Sequence, residues 1–182
     1  DGYQVIRQSN HLIESLPDYV PSLGQTKVDQ WIAEAKFIRA YTYFALVKRY
    51  GGVPLILEVQ FLEGGNIEEL QTPRSSEQDV YDAILNDLDY VIANMDEESE
   101  QKFRVNSNIA AAFKSRVALF AGTIARYGNP YIVDGTMLCG IPAAGANDYL
   151  KIAFQAAKSI EDKYSLYMNT WSATDKIAAA DN

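Results

Sequence analysis

The chain is poor in the residues on which most catalytic and metal chemistry rests. Its 182 residues include one cysteine, Cys139, and one histidine, His11. A single thiol excludes an internal disulfide framework and a thiolate metal cluster, and one imidazole excludes a multi-histidine zinc site or a His–His acid–base pair. One thiol fits either redox environment, so it assigns no compartment. Basic residues are also scarce: 16 Lys and Arg against 24 Asp and Glu leave a net charge of -8. That balance argues against nucleic acid, whose phosphate backbone needs a basic face. No run of about 18 apolar residues occurs, so no membrane-spanning helix is predicted. Asp1-Gly2-Tyr3 shows neither a basic nor an apolar leader pattern,. Either the protein is not secreted or its targeting segment lies upstream.

Catalytic motifs are lacking too. Gly51-Gly52 and Gly64-Gly65 are not followed by Gly-Lys-Ser/Thr, so no phosphate-cradling loop is indicated, and no Gly-x-Ser-x-Gly elbow accompanies His11,. Asp96, Glu97, Glu98 and Glu100 form an acidic run between helices, read as a solvated turn without the alternating spacing of a calcium loop,. No catalytic residue, metal site or cofactor is expected, and the chain is not read as an enzyme.

What is present is a globular composition, 48% hydrophobic and 22% charged, enough for one domain with a sizeable core,. Twelve Tyr, seven Phe and two Trp make an aromatic-rich set. Core packing explains most of it, and contact with a carbohydrate or peptide is the functional alternative. Period-3.6 patterning predicts five helical segments,. The first runs from about Tyr3 to Leu16 and stops before Pro17. The second, from about Val28 to Tyr50, is apolar on nearly every side of its second half, which predicts burial all round. The third follows Ser75, which with Gln78 makes a capping box, and carries the stripe Val80, Ile84, Leu88, Val91 and Met95. The fourth runs from Asn106-Ser107 to Tyr127, and the fifth from about Asp148 to Lys163. The second and fourth are expected to be the most buried.

Long connections, Gly51 to Ser76 and Gly128 to Asn147, separate the helices. Val53 to Phe61 is an extended crossover or the place for a short strand pair. Arg49-Tyr50-Gly51 and Arg126-Tyr127-Gly128 form a weak internal echo at two helix ends. The fold expectation is all-α, with tetratricopeptide-like antiparallel helix hairpins and long connecting loops, in a single domain over residues 1–182,. A plain antiparallel bundle is the alternative.

Two arginines fall on apolar stripes. Arg39 aligns with Val28, Ile32, Ala35 and Leu46, and Arg116 with Ile109, Ala112 and Phe120. Burying a guanidinium without acceptors is costly, so both are expected to be buried and held by carboxylates or helix-end carbonyls. Recognition of an anionic ligand is the alternative reading. Trp31 is read as core. Tyr131, in the Gly/Pro-rich loop, and Trp171, in a polar segment, are the candidates for stacking on a ligand, with packing as the alternative.

Several pieces carry a family resemblance. They are Tyr3-x-x-Ile6-x-x-x-Asn10-x-x-Ile13, the long stretch from Glu34 to Pro54, Thr72-Pro73-Arg74 with Val80-Tyr81, Ile84 and Asp87-Leu88, and Phe103-Arg104-Val105 leading to Arg116-Val117-Ala118-Leu119-Phe120. In this order they resemble the N-terminal helical portion of the SusD/RagB family, surface-exposed nutrient-binding lipoproteins of the outer membrane. The resemblance implies non-catalytic capture of a nutrient, usually an oligosaccharide, for handover to a TonB-dependent (SusC-like) transporter. It also implies attachment to the membrane only through a lipid anchor upstream, and assigns Glu34 with Arg39 and Arg116 a structural part. Family members begin earlier and continue further, so the chain is expected to be a piece of a longer protein that alone binds glycans weakly or not at all. An unrelated tetratricopeptide adaptor for a protein or peptide is the second hypothesis.

Overall fold

Helix-forming segments dominate the described residues, and α-helical runs stop before Pro17 and at Gly24, Gly51 and Gly128. The computed structural model describes residues 2–62, 65, 67–68, 70–98 and 103–164. Among these, α1 spans Gly2–Ser15, a short α2 Val20–Leu23, α3 Gln25–Tyr50, α4 Glu77–Asn94, α5 Ser107–Tyr127 and α6 Ala146–Lys158. Pro17 sits in a 3-10 turn that closes α1, since its ring cannot continue a helix,. α6 is shorter than predicted and gives way to a 3-10 turn at Glu161–Lys163.

The α4 cap lies one residue beyond the predicted Ser75–Gln78 pair. Ser76 Oγ accepts from the Asp79 N–H at 3.0 Å, and Asp79 Oδ2 accepts from the Ser76 N–H at 3.3 Å. Ser75 is engaged elsewhere: its N–H donates to the Val53 carbonyl at 3.1 Å, beside the lone bridge between Pro54 and Arg74. At α5 the Asn106 side chain accepts from the Ile109 N–H at 2.8 Å,.

Consecutive long helices pair antiparallel. Gly2 faces Thr42 and Leu46 while Asn10 meets Arg39, so α1 runs against α3. Phe44 meets Tyr81 while Lys36 meets Asp87, so α4 runs back along α3. Ser115 bonds Ala153 and Gly122 faces Leu150, which sets α6 against α5. These are the tetratricopeptide-like hairpins. The core joins Ile6, Tyr43, Phe44, Val47, Tyr81, Ile84, Leu88, Val117 and Ala121.

Burial is distributed differently from the expectation. α4, packed between α3 and α5, buries 8 of its 18 residues, against 9 of 26 in α3 and 9 of 21 in α5. The second half of α3 is not covered all round: Ile38 is 49% and Tyr41 60% exposed. α1 and α4 cover two of its faces, and α5 meets it through large rings, Phe113 against Phe37, Tyr41 and Phe44, and Phe120 against Phe44.

The crossover after α3 forms no strand pair among its described residues, so its backbone polar groups need other partners,. Side chains of α1 and α3 supply them. Tyr3 donates to the Pro54 carbonyl at 2.9 Å, and Asn10 Nδ2 to the carbonyls of Ile56 and Glu58, each at 3.0 Å. The Tyr43 hydroxyl donates to the Ile56 carbonyl at 3.0 Å and accepts the Ile56 N–H at 2.7 Å. Burial pushes the Tyr43 phenol up to about 12, keeping the proton that this bond uses. Glu14 accepts the Val59 N–H at 2.6 Å.

Arg39 is the hub of this clamp. It is 4% exposed, and its Nε and Nη2 grip Asp87 Oδ2 and Oδ1 at 2.8 and 2.7 Å. Its Nη1 donates to Asn10 Oδ1 at 2.8 Å and to the Leu57 carbonyl at 2.9 Å. Lys36 adds a second contact to Asp87 Oδ1 at 3.0 Å.

The strand pair lies elsewhere, in the second long connection. β1 (Tyr131–Val133) pairs antiparallel with β2 (Thr136–Cys139) across Asp134-Gly135, whose φ values of 48° and 81° fit a tight primed turn,. This hairpin docks on the end of α3, where the Gly52 N–H donates to the Leu138 carbonyl at 2.6 Å. A Cβ on Gly51 would lie 2.2 Å from that carbonyl oxygen, so only glycine fits,. Gly128 ends α5 with an ordinary φ of -70°, so the echo in sequence is not an echo in backbone. Among the described residues no helix is long and apolar enough to cross a membrane, and no acidic or His/Cys cluster is placed to hold a metal.

Candidate functional site

The first half of α3 contributes the floor of a cleft of about 310 Å³, closed on the other side by the segment between α4 and α5. Trp31, Lys27, Gln30 and Glu34 come from α3, Met95 and Asp96 from the end of α4, and Arg104 to Asn106 from the approach to α5. Trp31 is half-buried: one side packs on Leu16, Val28 and Ile32, and it also lines the cleft. It packs on the core as expected and also presents a side to the cleft. Lys27 Nζ lies 5.5 Å from the centre of its ring.

Polar groups around this ring are held by one another. Arg104 grips Glu34 with both arms of its fork, its Nε donating to Oε1 at 2.7 Å and its Nη2 to Oε2. Gln30 Nε2 donates to Asp96 Oδ2 at 3.1 Å, tying the cleft wall to the acidic run. The rest of that run is partly structural: the Asp96 carbonyl accepts the Ser107 N–H at 2.9 Å, and Glu97 pairs with Lys163 at 2.7 Å. An aromatic flank beside planar amide, carboxylate and guanidinium groups suits a ligand that offers both apolar C–H faces and hydroxyls.

The other sequence-predicted residues do not gather here. Tyr131 is 60% exposed on β1. Its hairpin docks at Gly51-Gly52, about 20 helical residues and so about 30 Å from Trp31 along α3,. Trp171 lies outside the described residues. Arg39 is in the clamp rather than the cleft, and Glu34 is on the cleft wall. The expectation for Arg116 is overturned: it is exposed and makes no hydrogen bond or ion pair among the described residues. Its stripe was read correctly but faces outward, with Ile109 43% and Phe120 40% exposed, because α4 and α6 cover the other sides of α5. His11 bonds Ser15 at 3.2 Å on an exposed face of α1. Arg104 was missed as a site residue, since its partner Glu34 stands 70 positions away and no local pattern links them.

Antiparallel helix hairpins with a side-chain clamp over a long crossover define a tetratricopeptide-like helical module. A family model of SusD-like proteins, described as starch-binding associating with outer membrane, matches residues 1–119. The chain belongs to this SusD-like family. It is 31% identical over 118 residues to a SusD-like protein of Bacteroides ovatus, covering 64% of this chain and 21% of that protein. A SusD-like protein of Formosa agariphila is 29% identical over 142 residues, covering 78% of this chain and 25% of that one. The chain thus spans about a quarter or less of these relatives. A crystal structure with bound xylogluco-oligosaccharide superposes on 92% of this chain and 30% of its own, with a TM-score of 0.69 and 25% identity. A laminarin-binding SusD-like protein superposes on 71% of this chain and 29% of its own, with a TM-score of 0.59 and 29% identity.

Proposed function

We propose that the full-length protein captures a glycan at the cell surface and hands it to a TonB-dependent, SusC-like transporter in the outer membrane. Capture involves no bond made or broken and no cofactor, and a lipid anchor upstream of these residues holds the protein to the membrane. The helical module over residues 1–182 is the scaffold of this assembly, and its Trp31 cleft contributes one contact to the sugar. The observation that carries the reading is the likeness, over 92% of the chain, to a structure with xylogluco-oligosaccharide bound. The composition of the cleft supports it independently, because sugar rings present apolar C–H faces to aromatics and hydroxyls to planar polar groups.

Calorimetry of the full-length protein against neutral xyloglucan and laminarin oligosaccharides tests the reading. Saturable binding is expected, weakened about tenfold by Trp31→Ala, as for loss of one aromatic contact. No binding to any oligosaccharide of the panel would overturn the reading. Unchanged affinity in Trp31→Ala would remove the cleft from it.

A further inference from the structure

A second concavity lies between α3 and α5, on the face that the helix stack leaves open. It encloses about 270 Å³ and is lined by Tyr41, Phe44, Lys48, Arg49, Phe113 and Arg116, with no carboxylate among the lining residues. That is unusual in a chain whose net charge is -8. Lys48 Nζ rests 4.4 Å from the centre of the Phe44 ring and 5.8 Å from that of Phe120. Arg49 spends one donor on the Ala45 carbonyl at 2.7 Å, closing the last turn of α3. Arg116 stands in the middle of α5, has no helix end to serve, and among the described residues none of its five donors has an acceptor,. The floor is aromatic: Tyr41 and Phe113 meet in a tilted pair, 5.5 Å between ring centres and 37° between their planes, and Tyr41 remains 60% exposed.

Three cations facing one small groove repel one another, and an anion placed among them relieves that repulsion while meeting a guanidinium fork. The exposed Tyr41 ring beside them offers a flat apolar face. We propose that this groove binds an anionic sugar ring, a uronate whose carboxylate pairs with Arg116 and Lys48 while its C–H face lies on Tyr41. The sugar half of the assignment rests on the glycan-capture reading, and the anion half on the unpaired cations alone. The volume admits one ring, so the groove reads a single charged unit rather than a chain.

The test is calorimetry of the full-length protein with trigalacturonate, its neutral methyl ester and an uncharged xyloglucan oligosaccharide, with a glutamate-rich hexapeptide as a fourth arm. Trigalacturonate is expected to bind about tenfold or more tighter than its ester, an advantage that shrinks as salt rises. Arg116→Gln removes the advantage, Arg116→Lys restores part of it, and Trp31→Ala leaves it in place. Arg116 is exposed among the described residues, and circular dichroism of each variant checks that the fold is kept. Equal affinity for acid and ester, or an advantage that survives Arg116→Gln, overturns the inference while neutral-glycan binding leaves the capture reading standing. Arg116-dependent binding of the acidic hexapeptide without trigalacturonate binding overturns the sugar assignment. Failure of every saccharide overturns both readings.

Discussion

Replacing Arg39 by alanine removes the centre of the clamp, and its cost follows from the groups left behind. Asp87 is 5% exposed and loses both charge-assisted bonds from the guanidinium, keeping only Lys36 at 3.0 Å. Asn10 Oδ1 and the Leu57 carbonyl each lose a donor within 2.9 Å. Removing one partner of a buried ion pair destabilises by about 3–5 kcal/mol, and the Lys36 contact places Arg39→Ala toward the lower figure. For a domain of this size that is a fall in melting temperature of about 6–20 °C. Asp87→Asn should fall at least as far, since it removes the carboxylate that pairs with a buried guanidinium,. The double variant Arg39→Met/Asp87→Leu should lose less than the sum, because neither member of the buried pair is then left alone, though Lys36 loses its carboxylate and Asn10 and Leu57 remain short of a donor,. Circular dichroism melts of the wild type, Arg39→Met, Asp87→Leu and the double variant give the four corners of the cycle. Hydrogen exchange at Ile56 and Val59 should accelerate first, as their N–H partners belong to the same clamp,. A loss below about 1 kcal/mol for Arg39→Ala, or strict additivity, would refute the reasoning.

Tyr81 is fully buried and its hydroxyl has no hydrogen-bond partner among the described residues, so Tyr81→Phe should raise stability by about 1 kcal/mol in urea unfolding, and a loss would reveal a missing partner,. Glu77 is held above the ordinary carboxylate range by burial, against the opposing Gly140 N–H that donates to it at 2.5 Å. Its folded form holds the proton more tightly than the unfolded chain. Stability therefore falls as pH rises from about 4.5 through the folded value, and Glu77→Gln should flatten that slope; an unchanged slope counts against it,. A Cβ at Gly52 would lie 2.0 Å from the Ser75 carbonyl oxygen, so Gly52→Ala should destabilise by about 1–3 kcal/mol, with a wild-type melt as the contrary result,.

The helices were legible because their signals are local. Pro17, Gly51-Gly52 and Asn106 stop or start them, and the stripe Val80, Ile84, Leu88 and Val91 points inward as its period requires,. What periodicity does not carry is which neighbour covers a stripe. Arg39 and Arg116 have the same surroundings in sequence, yet one faces α1 and α4 and the other faces out. The hairpin had a signal, Asp134-Gly135, but its strands are only 3 and 4 residues long and were passed over for the more apolar Val53 to Phe61. That segment is extended without pairing because side chains satisfy its backbone. In the cleft, Trp31 carried too much apolar area to be read as anything but core, and the Glu34–Arg104 fork is a product of tertiary structure.

The most direct test of glycan capture through the Trp31 cleft is a chemical-shift map of the chain titrated with xylogluco-oligosaccharide. This method detects even the weak binding expected of these residues by themselves. The account predicts that the perturbed amides and the Trp31 indole resonance cluster at residues 27–34, 95–98 and 104–106, and that Trp31→Ala abolishes the response. A map confined to the hairpin around Tyr131, or one in which other segments shift while these do not, would contradict it.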